Sequence, residues 1–104
     1  MDYLLIYDYS ADYLERRFSF RDEHLALAWA AQSNGSLVLA GVLGNPTDGA
    51  VFHFKCDSPA VIEEFIKSDP YFKNGLVTGW RIREWVTSVG DSASTPVRPS
   101  SERQ

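Results

Sequence analysis

His24, Asp69, Arg17 and Arg21 are the residues of this chain whose types suit proton transfer on an anionic molecule. Histidine changes charge near neutral pH, and a carboxylate bonded to one ring nitrogen fixes the tautomer and strengthens the other nitrogen as a base. Asp69 stands in "FIKSDPYFKNG", at the end of a helical pattern and directly before a proline. A carboxylate at a helix C-terminus is disfavoured by the macrodipole, by about 0.3–1 kcal/mol. An imidazole or guanidinium opposite would more than offset that cost. Arg21 lies one helical turn before His24 on the same face, with Arg17 just upstream. Guanidinium groups there can hold a carboxylate or an enolate-like oxygen beside the base.

The other reactive residue types point elsewhere. His53 alternates with apolar residues in "VFHFK" and has no acidic neighbour in sequence, so a sheet-face or dimer-contact role is expected. The single Cys56 cannot form an internal disulfide and reads as a small buried side chain. Two histidines and one cysteine lack the spacing of a closed metal site, so no metal is expected. No haem or flavin pattern is present, and no cofactor is expected. Trp29, Trp80 and Trp85 read as core and interface material, with one of them available to line a pocket.

The elements that must position these residues follow from periodicity and punctuation. "YLLIYD" (3–8) is a strand with apolar residues on both faces, and "YSADYLERRF" an irregular link. Ser19 can cap a helix from about Phe20 to Asn34, which Asn34-Gly35 ends with a left-handed residue. Residues 36–43 and 50–56 form an antiparallel hairpin across the turn formers "GNPTDG". A second helix starts at Ser58-Pro59, buries Val61, Ile62, Phe65 and Ile66, and stops at Asp69, because Pro70 disfavours helical geometry before it. "VTGWRIREWVTSV" is the last strand.

The order βαββαβ is that of an α+β, ferredoxin-like sandwich: a four-stranded antiparallel sheet with both helices on one face. Successive elements alternate direction, so the start of the first helix and the end of the second share one rim. His24 and Asp69 are thereby expected to meet. Tyr7, at the end of the first strand, reaches the same rim and is a candidate ligand contact. The other sheet face is left bare and apolar, so a second copy is expected there; a monomer with an apolar surface is the alternative.

Composition bounds the rest. The 104 residues are 44% hydrophobic and 13% aromatic, enough for one domain that buries roughly two thirds of its unfolded surface. A formal net charge of −4 with scattered Lys and Arg excludes a phosphate-neutralising strip, so no nucleic-acid partner is expected. No apolar run approaches the ~20 residues of a membrane span, and "MDYLLIYDY" lacks signal-peptide features, so a cytoplasmic location away from membranes is expected. The domain is expected to occupy residues 1–89, with "GDSASTPVRPSSERQ" (90–104) as a flexible tail.

Taken together, "LERRFSFRDEHLALAWAAQSNGSLVLAG", "SDPYFKNGL" and "REW" resemble the YCII-related (YciI-like) family, over about residues 3–87. The specific matches are Arg17, Arg21, His24 and Leu25, the glycines Gly35 and Gly41, and the motif Asp69-Pro70-Tyr71. The resemblance implies a ferredoxin-like unit that dimerises through its sheets into an α+β barrel. It also implies an active-site dyad at His24 and Asp69, with Arg17, Ser19, Arg21 and Tyr71 as ligand contacts. A chlorinated-aromatic dehydrochlorinase is the member type with an assigned chemistry. Many members read "GP" where this chain has Gly41-Val42, which implies a pocket rim of its own.

Three functions are compatible with these residues. The first is cofactor-independent elimination, isomerisation or hydrolysis of a small anionic molecule, with His24 as general base or acid oriented by Asp69. The second is a ligand-binding or regulatory module that keeps the pocket without chemistry. The third, oxygen-using chemistry, lacks any residue pattern of its own.

Overall fold

The computed structural model describes residues 1–100. Its elements are β1 (Asp2–Tyr9), α1 (Tyr13–Arg16), a 3-10 turn (Arg17–Ser19), α2 (Arg21–Ser33), β2 (Leu37–Val42), β3 (Gly49–Lys55), α3 (Ala60–Ser68), α4 (Pro70–Lys73) and β4 (Val77–Glu84). The strands form one antiparallel sheet in the order β2-β3-β1-β4. This is the ferredoxin-like α+β arrangement, with one short helix added before α2 and another after α3.

Alternation along β1 and β3 sorts the sheet into two faces. Tyr3, Leu5, Tyr7 and Tyr9 are buried, as are Phe52 and Phe54 opposite them on β3. Against this face α3 lays Ile62, Phe65 and Ile66, with Phe65 edge-on to Phe52 at 5.5 Å and to Phe54 at 5.3 Å. From α2, Leu27, Ala28 and Ala31 pack on the same core at its edge, and the one buried residue of that helix is His24. A buried histidine in the second turn of an otherwise half-exposed helix points inward for a reason other than apolar packing. The opposite face carries Leu4, Ile6 and Val51, all half-buried, with Arg81 and Arg83 beside them in register.

Several local expectations change. Ser19 does not cap α2; it ends the 3-10 turn, and Phe20 occupies the cap position without a side-chain hydrogen bond. The C-terminal end of α2 matches its sequence: Gly35 has φ +90°, and its N–H donates to the Gln32 carbonyl at 3.1 Å. Val61 is exposed, because the buried stripe of α3 starts at Ile62. None of the three tryptophans enters the core. β4 ends at Glu84, short of Val89.

Of the segment expected as a tail, residues 90–100 are described and 101–104 lie outside the described residues. Thr95 N–H donates to the Thr87 carbonyl at 3.0 Å, and Val97 N–H to that of Ser88 at 2.8 Å. The returning loop brings the Ser94 hydroxyl to the Asp2 carboxylate at the start of β1. Asp2 also accepts from His53 Nε2 at 2.7 Å, and the His53 ring stands edge-on to Trp85 at 5.0 Å. These hydrogen bonds from Ser94 and His53 hold the Asp2 carboxyl below the usual carboxylate range.

Candidate active site

His24 and Asp69 meet. Nδ1 of His24 lies 2.8 Å from Asp69 Oδ1, inside the fold, with Asp69 fully buried and His24 only 7% exposed. An ionised carboxylate accepts only, so Nδ1 carries the hydrogen and Nε2 is left as the basic nitrogen of the neutral ring; the tautomer follows from this network.

Asp69 has two further donors. The Tyr7 hydroxyl donates to Oδ2 at 2.8 Å, and the Tyr71 backbone N–H to Oδ1 at 3.0 Å. A buried carboxylate is costly unless its oxygens are paired, and three donors fix this one in position. Backbone geometry explains why the acid stands there. Asp69 is extended (φ −76°, ψ 120°), so it closes α3 and at the same time opens α4 as its N-cap, with Pro70 in the first turn. The carboxylate that the sequence places at an unfavourable helix end is thus also at the favourable end of the next one. Burial and the adjoining Asp69 carboxylate keep the Tyr7 phenol far above its ordinary range, so it stays a donor.

His24 borders a cavity of about 520 Å³, within the size range of small-molecule sites, while Asp69 lies buried behind it. Arg17, Arg21, His24 and Tyr71 all line it. The His24 ring stacks on Tyr71, centroids 4.0 Å apart and planes 11° from parallel. The Arg17 guanidinium sits over the rings of Tyr13 at 5.8 Å and Phe18 at 5.5 Å. Among the described residues, Arg17 Nε is buried without a hydrogen-bond partner. Such an orphan donor costs about 1–3 kcal/mol, which an acceptor brought to the guanidinium would offset.

Two residues from the list of candidate ligand contacts take other places. Ser19 is exposed and is not part of the cavity wall; Tyr7 is buried beneath the site, bonded to Asp69 rather than facing the cavity. Conversely, the wall includes Tyr9, Tyr13, Trp29 and Gln32, which were not singled out as ligand contacts. Tyr9 ends β1 and Tyr13 opens α1, so no helical spacing in "YSADYLERRF" signals that the two meet. Trp29 is 65% exposed at the cavity mouth, where β2 supplies Val38 through Val42 as the opposite side. His53 lies on the other sheet face, away from this site.

The fold and the cavity define a ferredoxin-like α+β domain with a histidine at the wall of a small-molecule-sized pocket and an aspartate buried behind it. The chain belongs to the YCII-related domain family, which matches it over residues 1–86. No curated protein matches it at a significant level. Among solved structures it is similar to 5-chloro-2-hydroxyhydroquinone dehydrochlorinase (TftG) from Burkholderia phenoliruptrix, determined in complex with 2,5-dihydroxybenzoquinone. The TM-score is 0.73 at 19% identity, covering 85% of this chain and 96% of that one, a likeness of fold. No helix among the described residues is long and apolar enough to cross a membrane.

Proposed function

We propose that this protein is a cofactor-independent catalyst of proton transfer on a small anionic organic molecule, by elimination, isomerisation or hydrolysis. The observation that carries the reading is the 2.8 Å hydrogen bond between the buried Asp69 and His24, which lines a cavity together with two arginines. His24 Nε2 takes a proton from substrate carbon or water while Asp69 holds the ring and stabilises the imidazolium. In an elimination, the C–H electron pair moves into the substrate π system and the leaving group departs with its own bonding pair. The imidazolium then returns the proton to solvent or product. Arg17 and Arg21 hold the anionic group and the charge that develops on it. That TftG, on the same fold, is a dehydrochlorinase supports the elimination branch. A second copy on the open sheet face completes the reading as a homodimer.

The test is a panel of small chlorinated and hydroxylated aromatic acids and quinols, assayed with wild type, His24→Ala and Asp69→Asn. Losing a general base costs typically about 10²–10⁴-fold, so His24→Ala should lose turnover to that extent while keeping its circular dichroism spectrum. Asp69→Asn should fall in the same direction through kcat, with the Nδ1–H signal of His24 lost in ¹⁵N-resolved NMR. Full activity in His24→Ala would remove the proposal. Panel members bound in an Arg17-dependent way but returned unchanged by stoichiometric protein would assign the site to ligand binding instead.

A further inference from the structure

Resting on that reading, we infer that the Tyr13 hydroxyl, supported by Tyr9 and Tyr71, binds the ionised oxygen of a planar enolate or phenolate ligand. The three tyrosines come from separate elements: the end of β1, the short helix α1 and the start of α4. Tyr9 and Tyr13 stack face to face, centroids 3.7 Å apart and planes 4° from parallel. Tyr71 stands perpendicular to both, at 6.1 Å from Tyr9 and 5.6 Å from Tyr13. All three are less than 10% exposed, and all three line the cavity.

Buried phenols ordinarily find an acceptor. The other two buried tyrosines of the core do so: Tyr7 donates to Asp69, and Tyr3 lies 3.6 Å from the Met1 sulfur. Tyr9 and Tyr71 instead have the Tyr13 hydroxyl as their hydrogen-bond partner, and no hydrogen bond joins the three phenols to a carboxylate or carbonyl among the described residues. Their polar neighbours are one another, Arg21 near Tyr71, the guanidinium of Arg17 over the Tyr13 ring, and the Asp69 carboxylate, whose oxygens are already engaged by His24, Tyr7 and the Tyr71 amide. Arg17 Nε adds a buried donor with no partner. The corner of the cavity therefore holds donors in excess of acceptors, which is the composition of a site for an oxygen anion.

The protonation of the phenols fits this use. Burial, then the neighbouring Tyr13 phenol, pushes the hydroxyls of Tyr9 and Tyr71 above their ordinary range, so both remain neutral donors at any physiological pH. Position completes the argument. Tyr71 stacks directly on His24, so the donor cluster and the base lie on adjacent parallel rings. A planar molecule in the cavity can place an acidic C–H at His24 and the oxygen conjugated with it at the phenols. Charge generated by deprotonation would then arise beside donors already in place, whose hydroxyls rotate to meet it. Tyr13 is the central member, because it adjoins both other tyrosines and Arg17.

The experiment is equilibrium binding of two probes, 4-nitrophenolate and its neutral methyl ether 4-nitroanisole, to wild type, Tyr13→Phe, Tyr71→Phe and His24→Ala. Removing a hydrogen bond to a charged group weakens binding by about 10–100-fold. Tyr13→Phe should lose that much affinity for nitrophenolate, with a smaller change in the absorption band of the bound anion, and bind nitroanisole as wild type does. His24→Ala should still bind nitrophenolate, since the measurement needs no turnover; this separates failure of the donor site from failure of the dyad reading. Equal losses for both probes in Tyr13→Phe and Tyr71→Phe, undiminished nitrophenolate binding in both variants, or no nitrophenolate binding by wild type would each overturn the inference. If Tyr13→Phe does not fold, Tyr71→Phe carries the same test, because its ring stack on His24 is retained.

Discussion

Tyr7 shows how much a single buried hydroxyl does here. It donates to Asp69 from beneath the site, and the carboxylate in turn holds His24. The phenols of Tyr7, Tyr9 and Tyr71 are all raised from 10.0 by burial first and by charged or phenolic neighbours second. In the unfolded chain they ionise near their ordinary value, so above about pH 10 the unfolded state has lost protons that the folded state keeps. This contribution to stability is complete below about pH 10 and declines as pH rises beyond it. Urea unfolding midpoints should be level from about pH 8 to 9.5 and then fall, with a shallower fall in Tyr7→Phe; a level response to about pH 11 would contradict the assignment. Asp2 has the opposite sign: its lowered carboxyl stabilises above 3.8, and the effect is lost as pH falls through its folded value.

At the scale of elements, the site depends on the packing of β1 against β3 as much as on the helices. Gly49 faces Asp8 across that pair, and a Cβ built there would run into the Tyr7 carbonyl. Gly49→Ala must therefore shift β1 at the residue that supports Asp69. Overpacking of this kind typically costs about 1–3 kcal/mol. The expected result is a lower urea midpoint together with reduced turnover, and a variant as stable as wild type would show that β1 yields without strain. Helix boundaries were the more legible part of the sequence. Pro70 and Gly35 each impose a backbone geometry that ends a helix, and both helices end at those signals. The four residues of α1 were not legible, because so short a helix draws its stability from contacts rather than from propensity. Tyr13 is buried in the core cluster, and no local pattern announces that.

For the whole molecule, the open sheet face is the largest question. Leu4, Ile6 and Val51 form an apolar strip on it, flanked by Arg81 and Arg83. A stable interface buries roughly 1,200–2,000 Å² in total, so a dimer seated here would draw on all four strands. The proposed homodimer should give twice the chain mass in light scattering. Ile6→Lys places a charge in the centre of the strip and should shift the mass to that of one chain, with the His24–Asp69 pair intact by NMR. A wild-type protein of monomer mass at high concentration would rule out the sheet-face dimer.

What the sequence by itself determined was the order of elements and, through it, the rim on which His24 and Asp69 meet. Hydrophobic period, turn residues and the alternating direction of consecutive elements are local or topological rules, and they suffice to bring two distant residues to one place. Only the tertiary structure decided which groups complete the site. Ser19 turns outward and Tyr7 lies below the cavity, while Tyr9 and Tyr13 form its wall. His53 finds its acid in Asp2, on the neighbouring strand, although none stands near it in sequence. The physical reason is common to these cases. Where a side chain ends up depends on strand register and on the volume its neighbours leave, and neither quantity is written in the spacing of residues along one chain.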